Sequence, residues 1–91
     1  MNAQIRSGIE ILDDIIGPIW IRSIDVESLD IRDCNQCILG QLYGSYECGV
    51  DYLFQGSEQR ASDHGFIAPS DGIDRLTQEW KNVIDKKLHE M

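Results

Sequence analysis

Apolar positions recur with a helical period at both ends of the chain and with a shorter period between them. Ile5, Ile9, Leu12 and Ile16 step by four, three and four residues, which places them on one face at 3.6 residues per turn. Ile11 and Ile15 widen that stripe. Gly17-Pro18 is predicted to end the helix, because glycine accepts a positive φ and proline cannot extend the hydrogen-bond ladder. In residues 19–32, Ile19-Trp20-Ile21 is apolar, and Ile24-Asp25-Val26 is echoed by Leu29-Asp30-Ile31. This alternation fits half-buried extended segments, but Glu27-Ser28 between them is no hairpin dipeptide. The stretch reads as an ordered connector that pins its aliphatic residues to the core. It leaves room for a helical turn or a β-bridge.

Asp33 with Gln36 resembles a capping box, predicting a second helix that carries Cys34, Cys37, Ile38, Leu39 and Leu42. Gly44 either stops or loosens it. Ser45 is then placed to cap a new turn, unless the helix continues through Tyr46, Val50, Leu53 and Phe54 to Gln55-Gly56-Ser57. If it runs straight, Cys34, Cys37, Gln41 and Cys48 share a face. Residues 57–70 read as a polar connector with one helical turn near Glu58–Ser62, an apolar plug at Gly65-Phe66-Ile67, and a stop at Pro69. The last helix is predicted to start with Ser70 or Asp71 as its cap. Its stripe is Ile73, Leu76, Trp80, Val83, Ile84 and Leu88, with Lys86, Lys87 and His89 at the negative end of its dipole.

These elements define an all-α domain, residues 1–91, built as a three- to four-helix bundle with space for one short β element. Its expected core is Ile9, Leu12, Ile16, Ile38, Leu42, Leu53, Leu76, Trp80 and Ile84. Ninety-one residues suffice for one domain with a thin margin of stability. No apolar run approaches the ~20 residues of a membrane crossing, and Met1–Arg6 does not resemble a secretory leader.

The formal net charge of -8 changes the functional picture. Residues 1–58 hold ten acids against Arg6, Arg22 and Arg32, whereas residues 59–91 hold six acids against five bases. Such a field repels phosphate backbones and anionic membranes, so neither nucleic acid nor a membrane is an expected direct partner. It suits a basic or nucleic-acid-binding protein. An extended acidic face could also mimic nucleic acid, provided its carboxylates cluster on one side.

Three cysteines, an odd number without a leader, point to a reducing cytoplasm. Cys34, Cys37, Cys48 and His64 supply four soft ligands, the count of a structural zinc site. That is the alternative functional reading, a small zinc-binding regulator. It lacks the paired second half of most zinc modules, and buried cysteines often act only as small apolar residues. A redox role is disfavoured by Asp33, which would raise a neighbouring thiol's pKa. Asp25, Glu27, Asp30 and Asp33 lack the ligand register and central glycine of a calcium loop. No nucleophile elbow or phosphate loop is present. The chain is therefore expected to be no enzyme and to need no cofactor. Tyr43 and Tyr46, beside glycines, are the candidate partner-binding residues, since tyrosine is enriched in interface hot spots.

The segment Cys37-Ile38-Leu39-Gly40-Gln41-Leu42-Tyr43-Gly44-Ser45-Tyr46, with Gly49 following, resembles a stretch found in small uncharacterised proteins of actinobacteria and their phages. Ile24-Asp25-Val26, Leu29-Asp30-Ile31, Gly65-Phe66 and Leu76-Thr77-x-x-Trp80 are similar to its flanks, so the likeness spans about two-thirds of the chain. Its specific core is Cys-x-Leu-Gly-Gln-x-Tyr-Gly. The resemblance implies that one cysteine, matching Cys37, is usual, and that Cys34 and Cys48 are additions. It implies a phage or mobile-element accessory protein acting inside a host cell. Together with the acidic charge, this leads to the expectation of a non-enzymatic protein that binds a host or phage protein.

Overall fold

Five α-helices and one 3-10 helix make up the described part of the chain, residues 3–68 and 71–90 of a computed structural model. In order they are α1 (Ala3–Ile15), the 3-10 helix (Pro18–Ser23), α2 (Ile38–Tyr43), α3 (Tyr46–Phe54), α4 (Glu58–Asp63) and α5 (Ile73–Glu90). No strand occurs among the described residues, so the fold class is all-α without the β element that residues 19–32 allowed. The radius of gyration is 11.7 Å, against about 12 Å expected for one compact unit of this length.

Helix α1 buries Ile5, Ile9 and Leu12, as its period requires. Ile16 does not continue that stripe and is 38% exposed. The helix closes one residue earlier, where the amides of Ile16 and Gly17 both bond the Leu12 carbonyl, and Gly17 turns the chain at φ 100°. Trp20 takes over that end of the core. Residues 19–21 are not extended: they form the 3-10 helix, whose three-residue turn buries Trp20 and Ile21 and leaves Ile19 outside. The Trp20 indole donates to Asp13 Oδ1 at 2.7 Å, and its ring meets Trp80 edge-on at 6.5 Å.

The connector after it holds to the core through Ile24, Leu29 and Ile31, all buried. Its acids make the bends. Asp25 accepts from the Glu27 amide, Asp30 from the Arg32 amide and Asp33 from the Asn35 amide, each two residues on. This is the self-bonding turn that aspartate favours. The predicted helix start at Asp33 is therefore displaced. Asp33 spends its carboxylate on its own turn, and its carbonyl accepts from Gln36 and Cys37. The true N-cap of α2 is Cys37, whose Sγ accepts the Gly40 amide at 3.2 Å. Gln36 closes no capping box. Its carbonyl instead accepts from Gln41 Nε2, which also donates to Asp25 O, while Gln41 Oε1 takes the Asp25 amide. Gln41 thus clamps both ends of the connector onto α2.

Helices α2 and α3 are separate, with Gly44 at φ 93° ending the first and Ser45 capping the second through the Cys48 amide. They cross at small residues. A Cβ on Gly49 would lie 2.6 Å from Leu39 Cβ, and one on Gly40 would lie 2.3 Å from the Cys34 carbonyl oxygen. These glycines let the α2–α3 corner and the preceding turn close without a gap. Leu42 and Leu53, expected in the core, are only half-buried and pack along its edge.

Helix α5 buries Ile73, Leu76, Trp80 and Ile84, while Leu88 is exposed near its end. Of its two candidate caps, Ser70 lies outside the described residues and Asp71 sits in a turn. The Gly72 carbonyl accepts the first helical bond, from Leu76. The expected plug is in place: Phe66 is buried and stacked on Trp80 at 5.7 Å, and the Trp80 indole donates to Gly65 O at 2.6 Å.

Candidate functional site

The predicted zinc ligands are not brought together. Cys37 is buried as the α2 cap, whereas Cys34 and Cys48 are exposed. His64 ends α4, where Nδ1 lies 2.7 Å from the Arg60 carbonyl and the ring leans on Phe54 at 4.9 Å. The break at Gly44 turns α3 away from α2, so the shared face that a straight helix would give does not exist. Among the described residues, no three His, Cys, Asp or Glu side chains are grouped to hold a metal ion. Burial raises the Cys37 thiol pKa; the Gly40 amide on its sulfur opposes that rise, and Cys34 adds to it. Cys37 is consequently a protonated, enclosed thiol with a structural task.

Of the two candidate tyrosines, Tyr46 faces inward. With Ser45 as the cap, positions 46, 50 and 54 share a face, and Tyr46, Val50 and Phe54 are all buried. Tyr46 is 9% exposed, and its Oη is enclosed without a hydrogen-bond partner among the described residues. Burial, reinforced by the negative charge of Glu58, pushes its phenol up to about 12. Tyr43 ends α2 half-buried, its hydroxyl likewise enclosed. The aromatic presented to solvent is Tyr52, 69% exposed, whose ring lies 5.3 Å from that of Tyr43. Sequence reading missed Tyr52. The signal was the α3 register: once helix counting starts at Ser45, position 52 falls off the 46–50–54 face.

Beside Tyr46 opens a cleft of about 260 Å³ lined by Tyr46, Glu47, Val50, Asp51, Gly56 and Glu58. Its geometry follows from two helix starts and one helix end. Glu47 is in the first turn of α3 and Glu58 in the first turn of α4, where a carboxylate favours the dipole. Asp51 stands one turn after Glu47. Gln55 and Gly56, both at positive φ, fold the chain back so that α4 brings Glu58 alongside. Neither Glu47, Asp51 nor Glu58 makes an ion pair among the described residues. Elsewhere, Asp74 meets Arg32 at 3.0 Å, Glu79 meets Arg75 at 3.8 Å, and Asp85 meets His89 at 3.8 Å. The cleft therefore concentrates negative charge that its own chain leaves unmatched.

Comparison of the chain with protein-family models, curated proteins and solved structures returns no match.

Proposed function

We propose that the protein is a non-enzymatic binding module that captures a lysine- or arginine-bearing segment of a protein partner in the acidic cleft on α3. The observation that carries this reading is the trio Glu47, Asp51 and Glu58 around one concavity with no cation of their own. A cationic side chain would gain three carboxylates at close range. The exposed Tyr52 ring on the same helix, backed by Tyr43, offers a flat surface for guanidinium or ammonium stacking. Tyr46, though buried, lines the cleft beside these acids.

The remaining acids favour local docking over broad nucleic-acid mimicry. Asp25, Asp30 and Asp33 of the connector bond backbone amides in turns, and Asp74 and Glu79 on α5 pair with Arg32 and Arg75. A phage or mobile-element accessory role, acting on a host or phage protein, is consistent with the resemblance carried by Cys37–Tyr46. No helix of the described residues is long and apolar enough to cross a membrane. The test is to titrate a short arginine- and lysine-rich peptide into labelled protein and follow the amide resonances. Shifts concentrated on 46–58 are expected; shifts spread evenly over the surface, or none, would refute the site.

A further inference from the structure

Tyr46 lines the acidic cleft together with Glu47, Asp51 and Glu58. It is 9% exposed, and its hydroxyl has no hydrogen-bond partner among the described residues. Enclosed polar groups are as a rule bonded, because giving up water without a replacement is costly. Burial raises the phenol's pKa first and the Glu58 charge next, so the hydroxyl end of the ring lies toward the Glu58 wall. The Gly56 side of the cleft is bare: a Cβ there would stand 3.3 Å from Asp51 Oδ1. An orphan hydroxyl thus borders a concavity whose carboxylates also lack cations.

On the reading that this cleft receives a basic segment, we infer that it selects arginine over lysine, the Tyr46 hydroxyl accepting one guanidinium N–H while the surrounding carboxylates take others. A guanidinium carries five N–H donors in a planar fork, so it can pair two of them with one carboxylate and keep donors for further acceptors. An ammonium is a compact point charge with three donors. The acids are also spread around the cleft. Among the described residues, no three His, Cys, Asp or Glu side chains converge closely enough to hold a metal ion. A point cation therefore meets these carboxylates one or two at a time, whereas the edges of a fork address them separately. Reaching an enclosed hydroxyl also demands partial dehydration, and guanidinium is more weakly hydrated than ammonium. The cleft, at about 260 Å³, falls below the roughly 300–1,000 Å³ of a drug-sized ligand site, and so takes one side chain, not a folded element. Glu58 is exposed at the start of α4 and can swing aside as that side chain enters.

The experiment compares two peptides of equal length and charge, one with arginine and one with lysine at every basic position. Each is titrated into the full chain, its tyrosine ring carbons isotopically labelled, at a fixed salt concentration. The parent is expected to bind the arginine peptide at least ~tenfold more tightly, and only that peptide should shift the Tyr46 Cζ resonance. Tyr46→Phe keeps the ring and removes the orphan hydroxyl, so it should fold with at least the parent's stability. It should bind the lysine peptide as the parent does and lose the arginine advantage. Equal affinity of the parent for the two peptides, or a Tyr46→Phe chain that keeps the full arginine preference, overturns the selection and leaves the cleft a general site for basic segments. A parent that binds neither peptide overturns that reading and the selection with it. Should Tyr46→Phe fail to fold, the parent alone decides: a Tyr46 Cζ resonance unmoved at saturating arginine peptide overturns the contact.

Discussion

Placing a methyl group on Gly40 interrogates one of the closest contacts in the fold. The new Cβ of Gly40→Ala would stand 2.3 Å from the Cys34 carbonyl oxygen and 2.7 Å from the Asn35 carbonyl carbon. Both are backbone atoms, so no side chain can swing aside. The Cys34 carbonyl also accepts the Tyr46 amide at 2.7 Å, the bond that seats the start of α3. Relief of the clash must move that oxygen and loosen α3. Overpacking costs about 1–3 kcal/mol, and a displaced buried backbone donor adds about 1–3 kcal/mol. Alanine's better helix propensity returns about 1 kcal/mol. The net expectation is a loss of about 3 kcal/mol, a large share of the roughly 5–14 kcal/mol available to a chain of this size. That corresponds to a fall in Tm of roughly 12–24 °C. Urea and thermal unfolding followed by tryptophan fluorescence read it directly, because Trp20 and Trp80 are both buried. A Gly40→Ala protein as stable as its parent would refute the close-approach argument.

The other expectations rest on separate contacts. Cys34 and Cys48 should react with an aromatic disulfide reagent in the native state and Cys37 only on unfolding, since Cys37 is buried with a raised thiol pKa; three equally fast thiols would contradict this. In an alkaline absorbance titration, the Tyr46 phenol should ionise late, at about 12 against an ordinary 10.0. The folded state holds that proton more tightly, so its contribution is complete below pH 10 and is lost as pH rises from 10 to 12. Tyr46→Phe should flatten that part of the stability profile. Gln41→Met should cost about 1–2 kcal/mol by releasing the Asp25 and Gln36 backbone bonds, measured by the urea midpoint.

The strongly periodic segments were legible from residue order alone. Helix α1 buries Ile5, Ile9 and Leu12 and helix α5 buries Ile73, Leu76, Trp80 and Ile84, because the apolar period and the packing face are one property, whereas Ile16 and Leu88 at the ends of those stripes stay exposed. The α2–α3 region was ambiguous because Gly44 and Ser45 suit either a loosened helix or a break, and only packing decides. The connector misled for a definite reason. Asp33 has the chemistry of an N-cap and of a self-bonded turn, and the second wins because Ile38 and Leu39 must enter the core at the next turn. A cysteine as helix cap carries almost no sequence signal. The acidic cleft was hidden for a related reason: Glu47 and Asp51 are separated from Glu58 by the reversal at Gln55, whose left-handed φ of 55° no residue preference announces.

The central functional claim is that three unmatched carboxylates make the cleft a receptor for a basic segment. The most direct measurement is isothermal titration of one arginine- and lysine-rich peptide into the parent chain and into the Glu47→Gln, Asp51→Asn, Glu58→Gln triple variant, at two salt concentrations. The account predicts binding that weakens with salt in the parent and at least ~tenfold weaker binding in the variant, given about 0.5–1 kcal/mol for each exposed charge contact. Equal affinity for both proteins, with the variant still folded, would contradict it.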